Sequence, residues 1–132
     1  MIVIDSSALV SILSMEEPDG PVLLRALSNA SGRMMSAMTH LEASLVLARR
    51  TDGPSFWEPL DLLVSEAKIE VVAFDAEQAG FARAAFLRYG KGRHAAALNF
   101  GDCAAYALAK SRNFSLLFKG ADFAKTDIVS AL

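Results

Sequence analysis

Four acidic residues stand where the hydrophobic pattern of the chain changes, and they are the side chains best suited to chemistry. They are Asp5, Glu42, Asp102 and Asp122. The first ends the apolar run Ile2–Ile4, and the last follows the apolar run Ser115–Phe118 by four residues. The other two each fall in the first turn of a predicted helix. Acids in such positions are candidates for metal binding.

Each of the four acids also has a purely structural explanation. Asp5 fits the N-cap of the helix that follows it, and the last of the four fits a turn residue. Two patterns fit capping boxes, Thr39-x-x-Glu42 and Asn99-x-x-Asp102. Each such cap stabilises its helix by about 1 kcal/mol. Taken singly, the acids do not distinguish a structural role from a functional one.

Taken together, the four acids favour a metal site. Asp5 and Asp102 lie among apolar neighbours, where several carboxylates would repel one another and raise one another's pKa. A hard divalent cation relieves that cost, because Mg²⁺ and Mn²⁺ prefer carboxylate and water oxygens. The chemistry that follows is attack of a metal-activated water on a phosphodiester.

Short apolar stretches alternate along the chain with longer helical ones. The predicted strands are Ile2–Ile4, Met34–Ala37, Ile69–Phe74, Ser115–Phe118 and an edge strand at Asp127–Val129. The helix opened by Thr39 is predicted to stop at Asp52-Gly53-Pro54, and another to run over Phe56–Ala67. The alternation predicts an α/β fold, a three-layer α/β/α sandwich with a mostly parallel central sheet. Residues that follow its strands meet at the carboxyl edge of the sheet, where such folds place their sites.

Composition narrows the class of protein further. The chain has 132 residues, 53% of them hydrophobic, and a net charge of −2. We therefore expect one domain over residues 1–132 and no polycation that coats nucleic acid by charge alone. The single cysteine, the early acid at position 5 and the absence of a long apolar run predict a cytoplasmic protein with no signal peptide and no membrane contact.

Four segments of the chain resemble the PIN domains, and specifically the VapC-type ribonuclease toxins of toxin–antitoxin pairs. These segments are Val3-Ile4-Asp5-Ser6-Ser7-Ala8, Thr39-x-x-Glu42, Asn99-Phe100-Gly101-Asp102-Cys103 and Leu117-Phe118-Lys119-Gly120-Ala121-Asp122-Phe123. They occur in the family's order and spacing over essentially the whole length. Any one of them is a weak signal, whereas four in order are a strong one.

The resemblance implies a Mg²⁺-dependent endoribonuclease, with Mn²⁺ as a second possible ion. Asp5 and Asp102 match the metal-ligating aspartates, and Glu42 matches the acid that opens the third helix. Asp122 fits the fourth acid best, with Asp127 as its competitor. The resemblance also implies a homodimer, an RNA substrate and an antitoxin peptide that lies in a groove near the acids.

A basic loop precedes the helix of Asp102. Lys91 and Arg93 lie in a glycine-rich stretch within a segment that carries no acid between Glu77 and Asp102. Such a loop positions RNA through phosphate contacts without reading its sequence, although an ordinary solvated surface is a close alternative. Ser7 matches a hydroxyl that family members place after the first aspartate, and a serine that starts a helix is an equally good explanation.

Two other functions compete with the nuclease. A PIN-like scaffold that only binds the antitoxin would need no acids, yet all four are present. A phospho-acceptor receiver domain would explain Lys119 after a strand, but it needs paired acids at the end of the first strand, where Asp5 is followed by serine.

Overall fold

Four parallel strands form the centre of the molecule. The computed structural model describes residues 1–50 and 57–132. The strands are β1 (Ile2–Ile4), β2 (Arg33–Ser36), β3 (Ile69–Val72) and β4 (Ser115–Leu117). They pair in the order β3-β2-β1-β4, and every pairing is parallel. All strands therefore present their carboxyl ends at the same edge of the sheet.

Helices cover both faces of the sheet. The described residues form α1 (Ser6–Leu13), α2 (Asp19–Asn29), α3 (Ala37–Arg50), α4 (Glu58–Glu66), α5 (Ala76–Tyr89), α6 (Phe100–Arg112) and a 3₁₀ turn at Phe123–Lys125. Alternate strand residues divide between two cores, because successive side chains of a strand point to opposite faces. Val3 packs with α5 and α6, whereas Ile2 and Ile4 pack with α1 to α4. The predicted three-layer α/β/α sandwich is confirmed.

The start of α3 differs from the sequence prediction. The helix begins at Ala37, two residues before Thr39, and the Ser36 hydroxyl accepts a hydrogen bond from the Met38 N–H at 3.2 Å. Thr39 is buried inside the helix, and its hydroxyl has no hydrogen-bond partner among the described residues. The predicted capping box at Thr39 is therefore wrong, because a serine three residues earlier takes the cap.

Other boundaries shift by small amounts. The predicted edge strand at Asp127–Val129 is only a bridge between Leu116 and Ser130. The helix stop at Asp52-Gly53-Pro54 and the helix start at Phe56 lie outside the described residues. No helix in the described ranges is long and apolar enough to cross a bilayer.

The strand order places a switch point at β1. The chain leaves β1 toward β2 on one side and returns to it as β4 on the other. Loops at the carboxyl end of β1 consequently diverge, and in parallel sheets this is where a cleft opens. Asp5 is the first residue after β1 and lies at the floor of this cleft.

A candidate acidic site

Asp5 is both a helix cap and a buried acid. Its Oδ2 accepts hydrogen bonds from the Ser7 N–H at 3.0 Å and from the Ser7 hydroxyl at 2.6 Å, which confirms its N-cap role. The residue is 2% exposed, and its Oδ1 has no hydrogen-bond partner in the described part of the chain. The pKa of Asp5 is raised from 3.8 to about 7: burial contributes most, the negative charges of Asp102 and Glu42 add to the rise, and the Ser7 hydrogen bonds oppose it.

Glu42 reaches the same cleft from α3. Because Thr39 is not an N-cap, Glu42 has no capping partner there, and its carboxylate instead accepts a hydrogen bond from the Ser6 hydroxyl. A side chain on Gly101, at the start of α6, would collide with this carboxylate. Glycine is unfavourable inside a helix, and here its lack of a Cβ lets α6 approach the acid.

Asp102 caps the start of α6 and also lies in the cleft with Asp5 and Glu42. Its Oδ2 accepts from the Asn99 N–H, and its own N–H donates to Asn99 Oδ1, both at 2.9 Å. The predicted capping box is thus confirmed. Burial raises the pKa of Asp102, and the Asn99 hydrogen bond opposes that rise. The charges of Glu42 and Asp122 raise the pKa further, which indicates that the acids share one electrostatic environment.

Asp122 approaches this group from the turn after β4. Gly120 has a φ of +97°, a conformation that favours glycine, and it redirects the chain there. Phe123 is buried and packs on Phe118 with ring centroids 5.2 Å apart, which anchors the turn. Asp122 itself remains exposed, and its charge acts on Asp102.

Asp127, the competitor for the fourth position, lies in another cluster. Its carboxylate accepts hydrogen bonds from the Tyr106 hydroxyl at 2.6 Å and from Lys110 Nζ at 2.9 Å. Arg88 lies 3.7 Å from the same carboxylate. Tyr106 and Lys110 lie one and two turns along α6 from Asp102, so Asp127 fastens the C-terminal segment to that helix.

The acids open onto a cavity of about 460 Å³ at the carboxyl edge of the sheet. Its lining includes Asp5, Glu42 and Asp102. In the described residues no three acidic, histidine or cysteine side chains converge as ligands of one ion, since Glu42 turns to Ser6 and Asp102 to Asn99. The buried acceptor of Asp5, without a partner and flanked by carboxylates, nevertheless fits a hard cation.

The predicted basic loop is exposed and does not line this cavity. Lys91 and Arg93 lie on a loop closed by a bridge between Gly90 and Leu98, next to the start of α6. The cation that the sequence analysis missed is Arg49, which lines the cavity from the end of α3.

The position of the Lys119 side chain argues against the receiver-domain alternative. A receiver lysine faces the aspartate pocket, whereas Lys119 Nζ here pairs with Glu16 and lies 3.7 Å from Asp19. Its backbone N–H donates to the Ser7 hydroxyl at 3.0 Å, so Ser7 links β1, α1 and the end of β4. The geometry of this lysine is not that of a receiver domain.

An apolar cavity of about 470 Å³ adjoins the acidic one. Met38 and Phe100 belong to both linings. The remainder comes mainly from α5, where Phe86 is 41% and Leu87 63% exposed. Exposed apolar side chains beside a polar cleft make this cavity a candidate interaction site.

Comparison with known proteins agrees with this geometry. The model of the PIN domain family matches residues 2–129. A protein named ribonuclease VapC from Mycolicibacterium smegmatis is 48% identical over 128 residues, which are 97% of this chain and 98% of that protein.

Solved structures show the same fold. VapC20 from Mycobacterium tuberculosis, described as a sarcin-ricin loop cleaving toxin, superposes with a TM-score of 0.78 at 17% identity, over 98% of this chain and 97% of that one. A toxin–antitoxin complex from Klebsiella pneumoniae gives a TM-score of 0.72 at 16% identity, over 100% of this chain and 98% of that one. This chain therefore belongs to the PIN-domain family, among the VapC ribonucleases.

Proposed function

We propose that this protein is a Mg²⁺-dependent endoribonuclease, with Mn²⁺ as a substitute ion, and the toxin of a toxin–antitoxin pair. The observation that carries the proposal is Asp5, whose buried Oδ1 lacks a partner in the described residues while two further carboxylates adjoin it. Names of nearly half-identical relatives support the ribonuclease activity. The alternative is a silent PIN-like scaffold that only binds the antitoxin.

Each acid of the site has its own role in this proposal. Asp5 and Asp102 would hold the metal, and Glu42 and Asp122 would add negative charge around it. When bound, Mg²⁺ stabilises developing negative charge and lowers the pKa of a water. Ser7 fixes Asp5 through two hydrogen bonds, and Ser6 holds Glu42. The two Ser7 hydrogen bonds set the direction of Asp5 in advance, which would reduce reorganisation at this residue when the ion binds.

A metal titration of RNA cleavage tests the proposal. Wild-type protein should cut a labelled RNA in Mg²⁺ or Mn²⁺ and stop in EDTA, while Asp5→Asn and Asp102→Asn should lose cleavage and keep the fold. Asp61→Asn, an exposed acid on α4, is the matched control and should cut normally. Wild-type cleavage by either site variant, or cleavage that persists in EDTA, would contradict the metal assignment. A wild-type protein that binds an antitoxin but never cuts would favour the scaffold.

The basic loop contributes phosphate contacts in this proposal. Lys91→Ala with Arg93→Ala should weaken RNA binding without changing the cleavage position, because phosphate contacts carry no base information. Two lost contacts to single-stranded RNA lower the slope of log affinity against log salt by about 1.4. An unchanged slope together with unchanged affinity would return both residues to solvated surface.

The apolar cavity accommodates the antitoxin peptide in this proposal, and the chain forms a homodimer. Phe86 and Leu87 present exposed apolar surface next to the acids, and a relative of the same fold was solved as a toxin–antitoxin complex. Co-purification with the product of the adjacent gene, and its loss in Leu87→Glu, tests the first point. The mass from light scattering tests the second.

A further inference from the structure

A second, smaller cleft opens beside the acidic cavity. It has a volume of about 230 Å³, and its lining is Ser6, Ser7, Val10, Glu16, Val46, Arg50 and Lys119. Three of these residues also line the acidic cavity, namely Ser6, Ser7 and Val46. The two clefts therefore form one continuous surface, acidic at one end and bearing two cations at the other.

One carboxylate holds both cations of the smaller cleft. Glu16 Oε1 lies 3.3 Å from an Arg50 guanidinium nitrogen, and Glu16 Oε2 pairs with Lys119 Nζ. The three side chains come from different parts of the chain and remain partly exposed: Glu16 is 29%, Arg50 51% and Lys119 38% exposed. Exposed pairs of this kind contribute little to stability and exchange readily.

The backbone of Lys119 is connected to Asp5 through Ser7. The backbone N–H of Lys119 donates to the Ser7 hydroxyl, and that hydroxyl donates to Asp5 Oδ2 at 2.6 Å. The base of the lysine side chain is thus two hydrogen bonds from the acid at the floor of the site. A ligand bound by Arg50 and Lys119 would lie next to whatever the acids bind.

We propose that Arg50 and Lys119 bind an RNA phosphate adjacent to the one that is cut, and that Glu16 competes with RNA for them. The inference rests on the proposed nuclease function. A carboxylate that takes an arginine with one oxygen and a lysine with the other uses the donors that a phosphodiester would use. RNA is favoured over a protein partner because the cleft continues into the acidic cavity, so one extended strand reaches both.

Binding of a fluorescein-labelled, unstructured RNA oligonucleotide to the full chain in EDTA tests this inference. Glu16→Gln should lower the Kd for RNA about threefold, because it removes the carboxylate charge that competes with RNA for two cations. Arg50→Ala and Lys119→Ala should each weaken binding by roughly three- to tenfold and lower the salt slope by about 0.7. The matched controls are Glu66→Gln, at the end of α4 and the opposite sheet edge, and Arg25→Ala on α2; both should bind as wild type.

Several results would overturn the inference. Weaker or unchanged binding by Glu16→Gln would show that Glu16 positions the cations or is unrelated to RNA. Unchanged RNA affinity of Arg50→Ala and Lys119→Ala would show that the cleft does not bind RNA. If the two variants lost affinity for the antitoxin alone, the cleft would be a protein-binding site instead. Because binding is measured in EDTA, these outcomes are separate from the proposed function, which is tested by the metal dependence of RNA cleavage.

Discussion

Replacement of Asp5 by asparagine should change how the stability of the metal-free protein depends on pH. Burial raises the folded-state pKa of Asp5 to about 7 from its ordinary value of 3.8. Between these two pH values the folded protein holds a proton that the unfolded chain has released. The free energy of unfolding of the wild type therefore falls as pH rises through this window. Asparagine does not titrate, so the variant lacks this contribution.

The size of the effect follows from the two pKa values. One pKa unit corresponds to about 1.4 kcal/mol, and the loss stops once pH exceeds the folded-state pKa. From pH 5 to pH 8 the wild type should lose about 2.5 kcal/mol that the variant keeps. For a domain of this length that difference corresponds to roughly 10 °C in Tm. The new amide also lowers the free energy of unfolding by an amount that does not change with pH. Its NH₂ takes the position of Asp5 Oδ1, which has no hydrogen-bond partner in the described residues.

The assay is thermal or urea unfolding of both proteins at pH 5 and pH 8 with EDTA present. The quantity to compare is the change between the two pH values, which cancels the constant cost of the amide. Asp102 also has a raised pKa and is present in both proteins, so its own burial cancels in the comparison, and only its charge interaction with Asp5 contributes to the difference. Parallel pH profiles for wild type and Asp5→Asn would refute the reasoning, since they would show that Asp5 ionises normally in the fold.

Two further predictions concern the shape of the site. Gly101→Ala should displace the Glu42 carboxylate and lower turnover at least tenfold, whereas Gly80→Ala, where a Cβ meets nothing within 4 Å, should keep full activity and gain about 0.5–1 kcal/mol of stability. Equal activity of the two would contradict the close packing of α6 on Glu42. Asp122→Ala should reduce Mg²⁺-dependent turnover without unfolding the protein, and Asp127→Ala should instead cost about 1 kcal/mol of stability. A larger activity defect for Asp127→Ala would transfer the fourth acid to that residue.

The positions of Asp5 and Asp102 were predictable because local sequence determines both. A polar residue after a short apolar run ends a buried strand, and Asn99 three residues before Asp102 starts a helix. Parallel topology then brings such ends to one edge. The fold class follows from the same alternation, and the structure confirms it.

Contacts between distant residues were beyond sequence reasoning. Ser36 and Thr39 are both favoured N-cap residues, and the structure uses the serine. The hydrogen bond from Ser6 to Glu42 spans 36 residues. A glycine one residue before Asp102, inside a helix, was the local signal that something packs closely there.

The order β3-β2-β1-β4 has a consequence for the protein during its own synthesis. β1 is made first, yet one of its two neighbours is β4, more than 110 residues later. Glu42 and Asp102, which act on Asp5, come from α3 and α6, and Asp122, which acts on Asp102, comes from the turn after β4. A partly translated chain can build helices and even the β1–β2 pair, but it cannot bring these carboxylates together. The acidic site therefore forms only after nearly the whole chain has left the ribosome.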